Sequence, residues 1–127
     1  MIYGYKKQVS LSFAEAEKKA REELAKEGFG IITEINAKET FRKKLDADFE
    51  NYVILGACLP ASAYKVLQID KEVGLLLPCN VVVYEDRGKT YVSAILPTVA
   101  MGMVENSDLA PIAKEIEEKL KKAVDSI

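Results

Sequence analysis

Histidine and tryptophan are absent from this 127-residue chain, cysteine occurs only twice and proline four times. The missing histidine removes the commonest general base, the commonest zinc ligand and every Ser-His or Cys-His pair. Two cysteines cannot complete a tetrahedral zinc site within one chain, although two chains could pool four. Cys58 and Cys79 do not form a CxxC motif, so a thioredoxin-like mechanism has no support. No stretch reaches the roughly 18 consecutive apolar residues of a membrane span. The longest, residues 73–84, is interrupted by Pro78 and Asn80. The opening Met1-Ile2-Tyr3-Gly4-Tyr5-Lys6 also lacks the basic start and apolar run of about 7–15 residues that mark a signal peptide. A cytoplasmic protein without membrane attachment is expected.

An excess of one charge is lacking too: 18 basic residues face 20 acidic ones, a net charge of −2. Proteins that grip a phosphate backbone usually carry a strongly basic face, so no nucleic-acid partner is expected. Lys18-Lys19, Arg42-Lys43-Lys44 and Lys121-Lys122 fall among acids on expected helices and are solvated faces. Apolar residues make up 49% of the chain. That is enough for one core in a single domain over residues 1–127, without a disulfide or metal.

Periodicity supplies the elements. Residues 2–9 alternate as a first strand. Ser12-Phe13-Ala14-Glu15 has the capping-box pattern, and Phe13, Ala16, Ala20 and Leu24 form the apolar stripe of the helix that follows. Gly28 ends that helix. Residues 29–35 form a second strand with Phe29, Ile31, Thr33 and Ile35 on one face. Asn36 then caps a short helix carrying Ala37, Phe41 and Leu45. Residues 51–58 make a third strand. Pro60 opens a helix whose apolar side is Ala63, Tyr64 and Leu67. Residues 74–84 read as a long fourth strand, turned through Asp86-Arg87-Gly88-Lys89 into a fifth at 90–96. After a loose segment at 97–105, Asp108 caps a final helix with Leu109, Ile112, Ile116, Leu120, Val124 and Ile127 on its stripe.

This order predicts an α+β fold: a five-stranded, mainly antiparallel sheet with helices packed on one face. The third and fourth strands are apolar on both faces, whereas helices can cover only one. A second copy of the chain is the expected cover for the other, giving a homodimer. The alternative is that the final helix or the 97–105 segment lies there.

The two cysteines mark the place to look for a site. Cys58 lies just before a helix N-terminus, whose partial positive charge favours thiolate. Cys79 follows Pro78, which cannot donate to a sheet ladder and signals a break in the strand. Three readings stand side by side: small buried hydrophobes, a thiol site for redox exchange, covalent chemistry or soft-metal contact, and a structural disulfide. Asn80 must find hydrogen-bond partners if buried, or point into a pocket. Glu34, among Ile31, Ile32 and Ile35, is either a tuned acid or an outward edge residue.

Phe29-Gly30 leading to Thr33-Glu34-Ile35, then Tyr52-Val53-Ile54-Leu55-Gly56-Ala57-Cys58 before Pro60, and Leu76-Leu77-Pro78-Cys79-Asn80-Val81-Val82-Val83-Tyr84 resemble the uncharacterised prokaryotic family called domain of unknown function 302. The resemblance covers nearly the whole chain. It implies a TATA-binding-protein-like β-α-β(4)-α fold and homodimers, with no established activity and no DNA-binding inference. Its marked positions would be Glu34, Gly56, Cys58, Pro60, Pro78, Cys79 and Asn80. Leu59 stands where the family usually has asparagine, a better helix cap.

Three functions follow as expectations. The first is a small homodimeric ligand-binding module with a site near Cys58, Cys79, Asn80 and Glu34. The second is a cysteine-dependent redox or thiol enzyme, and the third a purely structural or interaction domain. No catalytic residue, cofactor or resident metal is assigned.

Overall fold

In the computed structural model, which describes residues 2–127, the chain runs β1 (Gly4–Val9), α1 (Phe13–Lys26), β2 (Gly30–Asn36), α2 (Ala37–Leu45), β3 (Tyr52–Cys58), α3 (Pro60–Ile69), a 3-10 segment (Lys71–Leu76), β4 (Cys79–Asp86), β5 (Lys89–Ile95), α4 (Pro97–Ala100), a second 3-10 turn (Met101–Met103) and α5 (Ala110–Asp125). The strands form one sheet in the order β1-β5-β4-β3-β2, with every neighbouring pair antiparallel. This is the α+β arrangement that the sequence pattern predicts.

Local chemistry fixes the ends of the elements. The Ser12 side chain accepts from the Glu15 N–H, and the Glu15 carboxylate accepts from the Ser12 N–H, which starts α1. Gly28, at φ 93°, lets the Phe29 N–H turn back to the Leu24 carbonyl at 3.0 Å and close it. Arg87 and Gly88 both have positive φ, as a two-residue hairpin between β4 and β5 requires.

The main core lies between one face of the sheet and the pair α1 and α5. Val53, Leu55, Ala57, Val81, Val83, Val92 and Ala94 meet Ala16, Ala20, Leu24, Ile116, Leu120 and Val124 there. A second, smaller cluster of Val66, Val73, Met101, Leu109 and Ala113 ties α3 and both 3-10 segments to the start of α5. Because α5 lies beside α1, it leaves the opposite sheet face open. On that face Tyr52, Tyr84 and Tyr91 stack across three strands, with 5.3 Å between successive ring centroids. The Lys6 ammonium sits 5.0 Å above the Tyr91 ring.

Four local expectations are corrected. The fourth strand starts at Cys79 rather than Gly74, because Asp70 caps a 3-10 segment by accepting from the Glu72 N–H at 2.9 Å. Pro78, with no N–H to give, then keeps the ladder from starting earlier. In β2 a bulge between Ile31 and Thr33 breaks the alternation: Ile31 lies opposite Ala57, on the helix-covered face, while Thr33 and Ile35 lie opposite Gly56 and Ile54 on the open one. The buried side of α3 is Ser62 and Val66, whereas Tyr64 and Leu67 are exposed. Finally, Asp108 does not cap α5. Leu109 holds that position without a side-chain bond, and Pro111 occupies the first turn.

Candidate functional site

β3 and β4 pair with Ala57 opposite Cys79 and Gly56 opposite Asn80. Cys58 ends β3 and Cys79 begins β4, so positions twenty-one apart in sequence become neighbours at one end of the sheet. The chain leaves β3 through Leu59 into α3, and returns along the 3-10 segment and Pro78. That detour forms a half-open cavity of ≈ 340 Å³ lined by Cys58, Leu59, Ala63, Leu67, Leu77, Pro78 and Cys79, with Ile116 of α5 also in its wall.

The walls explain themselves residue by residue. Ala63 and Leu67, one turn apart on α3, line the cavity, while Val66 on the adjacent face ties the helix to the second cluster. The apolar stripe that the sequence offered as core is therefore in part a cavity wall. Ile32, placed at the bulge of β2, contributes from the sheet edge. It had no signal in the alternation of its strand.

Both cysteines are free thiols; Cys79 is buried and Cys58 half-buried. Burial pushes the Cys79 thiol up to about 11, with the charge of Cys58 adding to the same effect. Cys79 is therefore a neutral thiol at neutral pH. Among the described residues, no cluster of three or more Cys, Asp or Glu is arranged to hold a metal ion.

Asn80 and Glu34 lie elsewhere. Asn80 is exposed on the open sheet face, so it has no buried amide to satisfy. It lines a separate concavity of ≈ 460 Å³ with Tyr3, Lys6, Tyr52, Tyr84 and Ser93. Glu34 lies opposite Leu55 at the sheet edge, 52% exposed, and its carboxylate is 3.1 Å from the Arg21 guanidinium. Arg21 also holds Glu17 at 3.0 Å, so Glu34 ties β2 to α1. The structure brings Cys58 and Cys79 together and separates them from Asn80 and Glu34.

Gly56 supports the site by what it lacks. A Cβ there would lie 2.0 Å from Thr33 Oγ1 and 2.8 Å from Pro78 Cγ. The space is already filled by the threonine and by the proline ring that forms part of the cavity wall.

No helix of the described residues is long and apolar enough to cross a membrane. No curated protein matches the chain. A crystal structure of the uncharacterized conserved protein DUF302 from Bacillus stearothermophilus superposes with a TM-score of 0.93 at 34% sequence identity, covering 99% of this chain and 98% of that one. The family model described as Domain of unknown function DUF302 matches residues 5–127, and with the fold and the two cysteine segments in place the chain belongs to that family.

Proposed function

We propose that the protein is a small homodimeric binding module, acting in the cytoplasm, which holds a compact, weakly hydrated ligand in the cavity between α3 and the ends of β3 and β4. The observation that carries this reading is the cavity itself: apolar on nearly every side, with two thiols as its chemically distinctive groups. A pocket of this kind gains from displacing water but offers little that a strongly hydrated solute could use. The neutral Cys79 thiol favours binding over nucleophilic chemistry, because the thiolate is the reactive form. A redox or thiol enzyme remains the second reading, favoured by the two free thiols that share one cavity.

The dimer is proposed through the open face of the sheet, where Ile35, Ile54, Val82 and the tyrosine row lie without a covering helix. Val82 sits mid-face opposite Ser93, with Ile54 on its other side. A charge there opposes association: Val82→Lys is expected to convert a dimer to monomers in sedimentation equilibrium. Wild-type protein that sediments at 14.1 kDa throughout the micromolar range would refute the dimer.

The cavity is tested with N-phenyl-1-naphthylamine, a neutral apolar dye that brightens when it leaves water. Ala63→Phe, which fills the space from α3, is expected to weaken dye binding on the order of tenfold or more, roughly 1.4 kcal/mol, while leaving the circular dichroism unchanged. Dye binding that ignores this substitution would mean the cavity is not the site.

A further inference from the structure

We propose that the Cys58 and Cys79 thiols form a two-coordinate site for a soft monovalent cation of the Cu(I) and Ag(I) class. The inference rests on the reading of this cavity as the ligand site and names what it holds.

Four observations converge. Cys79 pairs with Ala57, the residue before Cys58, and both thiols line the same cavity. Cys79 is only 6% exposed, and neither sulfur takes part in a side-chain hydrogen bond among the described residues. The wall contains no carboxylate, amide or hydroxyl side chain, so sulfur is the only good donor type it offers a metal. Lastly, Leu59 precedes α3 without a side-chain cap bond, leaving first-turn N–H groups without a side-chain partner beside Cys58.

Donor number and softness decide the cation. Zinc takes four ligands, two more than this cavity holds within one chain, and calcium or magnesium would need oxygen donors that its side chains do not offer. Soft thiolates select Cu(I), for which two sulfurs in line suffice. The apolar walls offer no side chain that would compete with the sulfurs for it. On binding, two S–H bonds break and two S–metal bonds form. Both protons pass to solvent, and no electron is transferred. The resulting dithiolate complex carries one negative charge, which the positive end of α3 offsets.

Reduced protein titrated without oxygen with Ag(I), and with Cu(I) in competition with bicinchoninate, is expected to take up one ion per chain. X-ray absorption of the Cu(I) form is expected to show two sulfur neighbours. Cys58→Ser and Cys79→Ala should each weaken binding by more than the roughly 10–100-fold lost with an outer-shell partner. Should Cys79→Ala fold poorly, capping Cys58 with methyl methanethiosulfonate in the wild-type chain removes one of the two donors without cutting into the core, and should likewise abolish uptake. Absence of stoichiometric binding, binding that survives loss of either thiol, or half an ion per chain with four sulfurs would each overturn the single-chain site. Dye binding that persists in both cysteine variants while the cation is lost separates the two claims. Failure to bind either probe would remove the cavity reading as well.

Discussion

Gly56→Ala is expected to destabilise the fold by about 1–3 kcal/mol, the usual cost of forcing a methyl group into filled space. The new Cβ would meet Thr33 Oγ1 at 2.0 Å and Pro78 Cγ at 2.8 Å. The threonine lies on the edge strand β2 and can rotate away. The proline ring cannot move so cheaply, because it joins the cavity wall to the start of β4. Thr33→Ala in the same chain should therefore recover only part of the loss. Gly102→Ala is the control, since a Cβ there meets nothing within 4 Å. Its effect should stay within about 0.5 kcal/mol. Urea denaturation measures all of these, with the midpoint moving and the slope held. A Gly56→Ala midpoint equal to wild type would show that the Thr33 and Pro78 contacts yield freely.

The pattern of legible and illegible features in the sequence has a physical cause. Ser12 with Glu15, Gly28, Asn36 and the Arg87-Gly88 turn were readable because each end is settled by side chains within a few residues. The order of elements followed from those punctuation marks. The bulge between Ile31 and Thr33 was not readable, because it depends on how β2 meets β3 and Gly56 across the sheet. Gly74-Leu75-Leu76 read as the start of the fourth strand because they run into an apolar stretch, whereas the Asp70 cap makes them the end of a 3-10 segment. The stripe of α3 is illegible for a further reason: periodicity marks apolar positions without saying whether a core or a cavity lies opposite. The proximity of Cys58 and Cys79 could be anticipated from two consecutive strands. The separation of Asn80 from Cys79 follows equally from strand alternation, which puts successive residues on opposite faces, but the single cluster of marked positions hid it.

The Cys79 thiol makes the stability of the fold depend on alkaline pH. Its pKa lies at 9.0 when unperturbed and at about 11 in the native protein, chiefly because the buried thiolate would lose its hydration. An acid whose native pKa is raised binds its proton more tightly when folded. The stabilisation is fully present below pH 9 and is lost as pH rises through about 11. Two pKa units amount to roughly 3 kcal/mol. Tyr5, Tyr52 and Lys26 are also raised and add losses of the same sign, so the wild-type curve alone does not isolate the thiol. Cys79→Ala does, because alanine keeps a small apolar group against Ala57 and has nothing to ionise. Between pH 8, about one unit below the unperturbed pKa, and pH 11, at the native one, the variant should lose roughly 2–3 kcal/mol less than wild type in urea unfolding. Parallel curves would mean that the thiolate of Cys79 finds solvent or a counter-charge in the native state. A neutral, water-excluded thiol in the cavity would then have to be abandoned, and with it the preference for binding over nucleophilic chemistry.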